Sequence, residues 1–410
     1  ASRSLLGLLV YSVPYTLLWV SADLPFPYVT SKTILVTLVI LIAAIVLIVS
    51  RAAITITRFD ILFLLCIGCG WLTGVVNGNP GLSFYSTLER CNGVALQLVL
   101  LLYLVVLRSS NIDWRMYWGT MVSLSVILVV HLVIQNGLVR ELTETSLLGN
   151  KAYLAGFLVL CALVSLWLAR SVKVVALQWF LYAVAATQIF VALLTNNRSA
   201  MVGCVSAMLF FHLFPSLIKV VGRRRALATM VSAVSVGVLL LIYWVAQRAV
   251  WFHDAAIAWN ASFRTVSMAA RLDMWGSAVR MFIDAPLFGS GFGNFLFVFN
   301  HYHPGHYALN LGPDGTTEEW VDNAHSLFFE TLGTTGLVGT VPLLVLLGVL
   351  FCVALKRIQH YPTDKWIFIA LMTCFIEQLF VINSISKHVL QIGLIAYFTQ
   401  DIAPIRWPTL

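Results

Sequence analysis

The chain has 410 residues, of which 60% are hydrophobic and 10% are charged, and its mean hydropathy is +0.91. These values lie far outside the range of ordinary globular domains, so they exclude a soluble fold and indicate an integral membrane protein. The formal net charge of +8 does not indicate nucleic-acid binding, because basic loops on one membrane face account for the excess.

Apolar segments of bilayer-spanning length, about 20 residues with some tolerance, recur along almost the whole chain and predict about twelve transmembrane helices. Transmembrane strands are not expected, since they need alternating polar and apolar residues. The fold class is therefore predicted to be all-α and polytopic. The predicted spans are Leu5–Val20, Thr33–Ser50, Ile61–Val76, Gly93–Leu107, Tyr117–Ile134, Tyr153–Leu168, Val174–Leu194, Ala200–Phe214, Ala226–Val245, Leu337–Ala354, Trp366–Val381 and Ile385–Phe398.

The basic residues of the short loops predict a cytoplasmic N-terminus, because cytoplasmic loops carry an excess of Lys and Arg. This orientation puts most of the 25 basic residues in the cytoplasm. The remainder face the outer side, which normally has few, so they are candidates for anion binding. They are Lys32, Arg90, Arg140, Lys151, Arg198, Arg248, Arg264, Arg271, Arg280 and Lys387.

About 80 residues, from Ala246 to Ala324, separate the ninth and tenth spans, which is too many for a simple connection between helices. The chain is therefore predicted to comprise residues 1–245 with nine spans, a large outer loop of residues 246–324 that carries the functional elements, and residues 325–410 with three spans. The loop contains a predicted amphipathic helix over Met268–Ile283 and a Gly-rich turn at residues 289–294.

The predicted loop helix has one broad apolar arc and one polar side when its residues are placed 100° apart. Arg271 falls inside the apolar arc, where its stem can run along apolar surface to lipid headgroups or its guanidinium can bind an anion. The arc is formed by Leu272, Met274, Trp275, Ala278, Val279, Met281 and Phe282, and the side assigned to solvent by Asp273, Ser277, Arg280 and Asp284.

His325 follows Asp322-Asn323, which is a predicted cap for the next helix. The same helical construction puts His325 on an apolar side with Phe328, Phe329 and Leu332, and Ser326 and Glu330 on the other side. A histidine on an apolar face is more often a core residue than a catalyst. In the first turn of a helix, however, the positive end of the dipole disfavours imidazolium and keeps the ring able to accept a proton, as a general base requires.

Arg198 lies in Asn196-Asn197-Arg198-Ser199-Ala200, between the seventh and eighth spans. Alone it is equally consistent with an interfacial anchor. Arg198, Arg271 and His325 come from three distant segments predicted on one membrane face, and arginine suits phosphate because its guanidinium stays charged and binds oxygens in a fork. The sequence therefore predicts a cationic site beside a titratable imidazole.

Three groups of residues resemble the O-antigen ligase and polymerase superfamily: Asn197-Arg198-Ser199-Ala200 after a span, Arg271 with Trp275 before Pro286-Leu287-Phe288-Gly289-Ser290-Gly291, and His325 followed by Glu330, Gly336, Leu337 and Gly339. Gly149-Asn150-Lys151 resembles the Gly-Asn-containing loop of the superfamily but lacks its usual proline and second asparagine. Within the superfamily the chain looks most like the lipopolysaccharide O-antigen ligases.

The resemblance implies a metal-independent, inverting glycosyltransferase of the multispanning GT-C-like type without a cofactor. It implies transfer of O-antigen polysaccharide from an undecaprenyl diphosphate donor to a sugar hydroxyl of lipid A-core, in the bacterial inner membrane with the active site on the periplasmic face. The implied partners are these two lipids and the surrounding membrane lipid, with no nucleic acid.

The residues themselves fit such a reaction, because a departing diphosphate needs fixed cations or a divalent metal. Arg198 and Arg271 are predicted to bind the diphosphate and stabilise it as it leaves, and His325 is predicted to remove the acceptor proton. Additional substrate-binding candidates, which would steer the donor or a phosphorylated acceptor, are Arg90, Arg140, Lys151 and Arg264.

A metal site is an alternative to this arrangement, because His301, His303 and His306 form a cluster in the same predicted loop. Pro304-Gly305 interrupts the cluster and the spacing is not that of a zinc site, so no metal is expected. The acidic residues Asp314, Glu318, Glu319 and Asp322 are predicted to be a solvated rim, from which one carboxylate can orient His325.

Other functions stay open from the sequence alone. An O-antigen polymerase would leave the longer chain on undecaprenyl diphosphate, and a protein O-oligosaccharyltransferase would use a protein hydroxyl as acceptor. A non-enzymatic lipid or sugar transporter is expected to carry polar residues near the bilayer midplane. Here Glu377 and His131 are the main ionisable residues within predicted spans, and polar residues concentrate at one surface.

Overall fold

The structure is a computed structural model that describes residues 2–136, 146–195, 197, 199–206, 208–209, 212, 266–302, 321–381 and 384–405. These residues form helices joined by turns, with one isolated β-bridge between Thr57 and Pro404. The helices are α1 (Ser2–Ser12), α2 (Pro27–Val49), α3 (Arg58–Val76), α4 (Pro80–Tyr85), α5 (Val94–Ser109), α6 (Trp114–Asn136), α7 (Lys151–Ser171), α8 (Val175–Leu194), α9 (Val266–Asp284), α10 (Phe295–Tyr302), α11 (Leu327–His360), α12 (Lys365–Glu377) and α13 (Ile385–Thr399).

The predicted class is confirmed, since the described part of the chain is an all-α, polytopic membrane protein. Within it, 6 helices are long and apolar enough to cross a bilayer, namely α2, α3, α6, α7, α8 and α11. Shorter apolar helices lie at residues 4–18 and in α5. The predicted span Ala226–Val245 and five residues of the predicted span Ala200–Phe214 lie outside the described residues, so the number twelve stays a prediction.

The main hydrophobic core surrounds α7, which is buried along most of its length, unlike the other candidate spans. A second, smaller core lies at one end of the bundle and is built from α9, α10 and the first turns of α11. Its central side chains include Trp275, Phe295, Phe299 and Phe329. The segment predicted to be an outer loop is therefore packed in its described part, and it has an apolar centre of its own.

The predicted loop helix is confirmed as α9, and most of its predicted apolar arc is buried. The assignment of Ser277 to the solvated side is wrong, because this side chain is fully buried. Arg280 is half-buried rather than solvated, and its Nη1 donates a hydrogen bond to the carbonyl of Tyr302 on α10 at 2.5 Å. Helical periodicity missed these contacts because α10 covers a face that would otherwise meet water.

A sharp kink divides α11 at Gly336, where φ is 56° and ψ is −151°. A kink breaks the helical hydrogen-bond ladder and leaves N–H groups on its C-terminal side without intrahelical acceptors. Here the N–H of Leu337 donates to the carbonyl of Pro286 at 2.9 Å, and the N–H of Val338 donates to the carbonyl of Leu287 at 3.0 Å. The turn that follows α9 thus supplies the missing acceptors.

The carbonyls that the kink releases are satisfied by the same turn. The N–H of Ser290 donates to the carbonyl of Gly333 at 3.0 Å, and the N–H of Gly291 donates to the carbonyl of Thr334 at 2.7 Å. Four backbone hydrogen bonds therefore replace the broken ladder. They attach the turn after α9 to the kink of α11. Glycines on both sides of this contact, Gly291 and Gly336, therefore have a structural role.

Gly336→Ala is expected to destabilise the protein by at least about 2 kcal/mol. The added Cβ would lie 2.6 Å from the carbonyl carbon and oxygen of Leu287, at a φ of +56° that disfavours any side chain. Thermal unfolding of the purified protein in detergent checks this expectation.

Gly348→Ala is the matched control, because Gly348 lies in the same helix with open space around it. Alanine has the higher helix propensity, so this variant should be as stable as the wild type or gain up to about 1 kcal/mol. Equal stability of the two variants would contradict the account of the kink.

Candidate functional site

The segment before α11 is held by hydrogen bonds to both sides of one residue, Ala324. Its N–H donates to Oε2 of Glu330 at 2.7 Å, and its carbonyl accepts the indole N–H of Trp275 at 3.0 Å. The Trp275 ring stacks on Phe329, with centroids 4.9 Å apart and planes 18° from parallel. Groups from α9 and α11 thus fix the backbone next to His325.

His325 has a left-handed backbone, with φ at +48°. Few non-glycine residues adopt this region, and those that do cluster at functional sites where neighbouring structure enforces the conformation. The N–H of His325 donates to Oδ1 of Asn323 at 2.8 Å. The surrounding contacts therefore hold the backbone of His325, whose side chain is half-buried.

The predicted cap at Asp322-Asn323 is wrong. α11 begins at Leu327, and its N-cap is Ser326, whose hydroxyl accepts from the N–H of Phe329. Asn323 instead closes a turn onto His325 through its side chain. His325 therefore precedes the helix rather than occupying its first turn, and its direction is set by the turn rather than by the helix.

Arg90 reaches this segment from the connection before α5. Its Nε donates to Oδ2 of Asp322, and its Nη1 donates to the hydroxyl of Tyr153 on α7 at 2.6 Å. Burial alone lowers the pKa of the Arg90 guanidinium, but Tyr153 and Asp322 outweigh burial and raise it. Arg90 was predicted to bind substrate, whereas the structure shows its side chain engaged by the protein.

Asp322 was assigned to a solvated rim, and that assignment is wrong, because its side chain is 7% exposed. Besides Arg90, its carboxylate accepts a hydrogen bond from the amide of Asn323 at 2.6 Å. Arg90, Asp322 and Asn323 therefore form a relay that ends at the backbone of His325. The carboxylate orients the histidine indirectly, through Asn323, and no periodicity in the sequence reveals such a long-range contact.

Arg271 lies on α9 one helical turn before Trp275, on the face that contacts Ala324. It is half-buried, and burial lowers the pKa of its guanidinium, which nevertheless stays protonated as arginines do in proteins. Within the described residues it forms no ion pair. Two of the three predicted key residues, Arg271 and His325, therefore lie on elements joined by the Trp275–Ala324 hydrogen bond.

Several other basic residues predicted on the outer side have internal partners. Lys387 pairs with Glu377 at 3.1 Å, and both side chains are almost completely buried. Lys32 donates to the carbonyls of Tyr28 and Leu147. These lysines are therefore structural, and they are not free to bind a substrate anion.

Lys151 is exposed at the first position of α7. The Gly-Asn motif before it has a structural explanation: the Asn150 side chain caps α7 by accepting from the N–H of Ala152 at 2.7 Å. Gly149 adopts a φ of +73°, and a Cβ there would collide with the ring of Tyr28. Lys151 thus remains available to a substrate at the start of α7.

Three of the predicted site residues, Arg198, Arg140 and Arg264, lie outside the described residues, as do His303 and His306 of the histidine cluster. In the part of the chain that the structure describes, no group of three or more His, Cys, Asp or Glu side chains could hold a metal ion. His301 is exposed at the end of α10.

A cavity of about 180 Å³ lies directly beside the His325 segment, between α3, α5, α11 and α13. Its polar lining includes Glu330, Gln378 and Gln391, and most of the remaining wall is apolar. The carboxylate of Glu330 therefore connects the cavity with the N–H of Ala324.

The arrangement combines a half-buried arginine, a histidine with a constrained backbone and an adjoining, mostly apolar cavity. Residues 181–344 match the family model described as O-Antigen ligase. This match confirms the resemblance found in the sequence. No curated protein matches the chain. The O-antigen ligase segment contains Arg198, Arg271 and His325, whereas Arg90 and Lys151 precede it.

Trp275→Phe should keep the stacking on Phe329 but lose the hydrogen bond to the Ala324 carbonyl. An unsatisfied buried carbonyl costs about 1–3 kcal/mol, so the free energy of unfolding should fall by that amount. Trp179→Phe is the control, because Trp179 on α8 is 70% exposed and the change should stay within about 0.5 kcal/mol. Equal losses in the two variants would refute a specific role of the indole N–H.

His325→Gly should be more stable than His325→Ala by about 1 kcal/mol, because glycine adopts a left-handed backbone without a Cβ clash. The opposite order is expected for His301→Gly and His301→Ala, since His301 lies in the helix α10, where alanine is favoured. Chemical denaturation of the four variants measures both differences. Greater stability of His325→Ala than of His325→Gly would show that the backbone at His325 is not strained.

Proposed function

We propose that this protein is an O-antigen ligase that transfers polysaccharide from undecaprenyl diphosphate to a sugar hydroxyl of lipid A-core. The reaction takes place at the periplasmic face of the inner membrane. The match of residues 181–344 to the O-antigen ligase family and the apolar helices support this assignment. The observation that carries it is the Trp275–Ala324 hydrogen bond, which joins the helix of Arg271 to the backbone beside His325.

In the proposed reaction His325 acts as the general base. Its imidazole takes the proton from the acceptor hydroxyl while the oxygen attacks the anomeric carbon of the donor sugar. The new glycosidic bond forms as the bond to the diphosphate oxygen breaks, so the configuration at that carbon inverts. The contacts of Ala324 and Asn323 support this role, because they hold the backbone that carries the imidazole before either lipid arrives.

Arg271, together with Arg198, is proposed to stabilise the leaving diphosphate. The negative charge on this group grows as the bond breaks, and fixed guanidinium groups stabilise it without reorganisation. Partial burial strengthens the interaction, since charges attract more strongly where water is excluded. The fixed arginines supply charge that a divalent metal supplies in other transferases, so the reaction is proposed to be metal-independent.

Arg90 is proposed to position His325 rather than to steer the donor. Its guanidinium is already engaged by Asp322 and Tyr153, and the relay from Asp322 through Asn323 ends at His325. Lys151 keeps the proposed steering role because it is exposed at the start of α7. Arg140 and Arg264 retain the same proposal as residues outside the described part of the chain.

Reconstitution with the lipid-linked donor and lipid A-core, in the presence of a chelator, tests the proposal. The wild type should transfer polysaccharide under these conditions, and His325→Ala should lose about 10²–10⁴-fold in rate, as expected for loss of a general base. Arg271→Lys should lose about 10²-fold, because an ammonium lacks the fork that matches a diphosphate. Full transfer by His325→Ala, or a requirement for added divalent metal, would overturn the mechanism.

Two controls keep the result specific. His301→Ala removes a histidine of the same loop, and Arg280→Lys changes an arginine of the same helix whose Nη1 is bound by Tyr302. Both variants should transfer at close to the wild-type rate. A loss in His301→Ala equal to that of His325→Ala would favour the histidine cluster as the reactive group.

The lipid that carries radiolabelled sugar after the reaction distinguishes the remaining activities. Label on lipid A-core identifies a ligase, whereas a longer chain that remains on undecaprenyl diphosphate identifies a polymerase. Label on protein identifies an O-oligosaccharyltransferase. The ligase proposal fails if lipid A-core stays unlabelled while the donor is consumed.

A further inference from the structure

A second cavity, of about 490 Å³, shares the lining residue Phe59 of α3 with the first one. It opens where α3 begins and α11 ends, and α13 closes its third side. The positive-inside rule predicts this face to be cytoplasmic, so the cavity belongs to the membrane face opposite to His325. Its volume lies within the range typical of small-molecule sites.

The lining of this cavity is amphiphilic along the membrane normal. Arg58 and Lys356 are exposed at its rim. Leu62 lies one helical turn further into α3 than Arg58, and Val353 and Val349 lie about one and two turns further into α11 than Lys356. A charged rim at the ends of two candidate spans is thus followed by an apolar wall within the bilayer.

The rim carries net positive charge after its internal ion pairs are considered. Arg357 pairs with Asp364 at 2.9 Å and with Asp401, and its guanidinium lies 4.4 Å from the centroid of the Tyr397 ring. These contacts hold Arg357 in the wall, and its single charge offsets one of the two carboxylates, so that Arg58, Lys356, Arg357, Asp364 and Asp401 together carry a formal charge of +1. Arg58 and Lys356 form no ion pair within the described residues.

The carboxylate next to Arg58 is also neutralised. Asp60 accepts from Nη2 of Arg108 on α5, and both side chains are buried. It also completes the capping box with Thr57 at the start of α3. The charge of Arg58 is therefore not cancelled by its own helix, and two cations face one apolar cavity.

We propose that this cavity binds one anionic phospholipid of the cytoplasmic leaflet, with its phosphate between Arg58 and Lys356 and an acyl chain along Leu62, Val353 and Val349. A free phosphate uses only the rim, whereas a lipid uses the rim and the apolar wall together. Each basic residue near an anionic membrane surface contributes about a factor of five to ten in affinity. The bound lipid fills the gap between α3 and α11 and holds these helices together.

The test uses the purified full chain in a neutral detergent. Phosphatidylglycerol, phosphatidylcholine with the same acyl chains and inorganic phosphate are added in separate titrations, and the unfolding temperature is followed. Native mass spectrometry counts the lipids that remain bound. Phosphatidylglycerol is expected to raise the Tm with one lipid retained per chain, and the other two additions are expected to leave it unchanged.

Arg58→Gln combined with Lys356→Gln should weaken phosphatidylglycerol binding about 30-fold or more and remove most of the Tm shift. Arg115→Gln combined with Lys173→Gln is the matched control, because it removes two exposed cations of the same predicted face that do not line the cavity. The control variant should keep the shift. Val353→Trp, which fills the apolar wall and leaves both cations in place, should also weaken binding.

Three outcomes would overturn the proposal. An undiminished shift in the Arg58/Lys356 variant would exclude these residues as the headgroup site. An equal loss in the Arg115/Lys173 variant would show attraction by the general surface charge. The same stabilisation by inorganic phosphate would identify a free-anion site. None of these outcomes depends on the transfer reaction, so the lipid site and the proposed ligase activity are tested separately.

Discussion

The exchange of backbone hydrogen bonds between the kink of α11 and the turn after α9 is the constraint on which the site depends. A helix that breaks inside a membrane protein must satisfy its freed N–H and carbonyl groups within the protein, because lipid offers no partners. Here the residues around Pro286 and Gly291 satisfy them. The helix of Arg271 and the helix that follows His325 are thereby fixed to each other at a point away from the reactive groups.

The second attachment, at Ala324, acts at the other end of the same helix pair. Trp275 and Glu330 hold its carbonyl and its N–H, and the neighbouring His325 adopts a left-handed backbone. Such a backbone costs of order 1–3 kcal/mol and persists only where surrounding contacts enforce it. With both ends of the pair fixed, the contacts of the fold offset the backbone strain at His325.

Some basic side chains form ion pairs within the protein and others do not, and their positions in the predicted loops do not distinguish the two groups. Buried cations such as Lys387 and Arg108 are matched by carboxylates, because an unpaired buried charge is too costly to keep. Arg271 differs, since it is half-buried and forms no ion pair within the described residues. Arg58 and Lys356 at the rim of the second cavity are exposed and also form no ion pair within the described part of the chain, and both places therefore favour an anionic ligand from outside the chain.

The sequence by itself determined the membrane class, the loop helix that became α9, and the residues that resemble the O-antigen ligase family. Hydropathy and helical periodicity are local properties of the sequence, so they predict helices without knowledge of the tertiary structure. The tertiary structure decided which cations are free: Arg90 is engaged by Asp322, more than two hundred residues away, and Ser277 is buried although its helix position suggested water. It also moved the start of α11 from Asn323 to Ser326, because the hydrogen bonds of Ala324 and His325 compete with an earlier cap. Contacts between segments that are distant in the sequence determine this ion pairing, this burial and this helix start, and no local sequence pattern predicts those contacts.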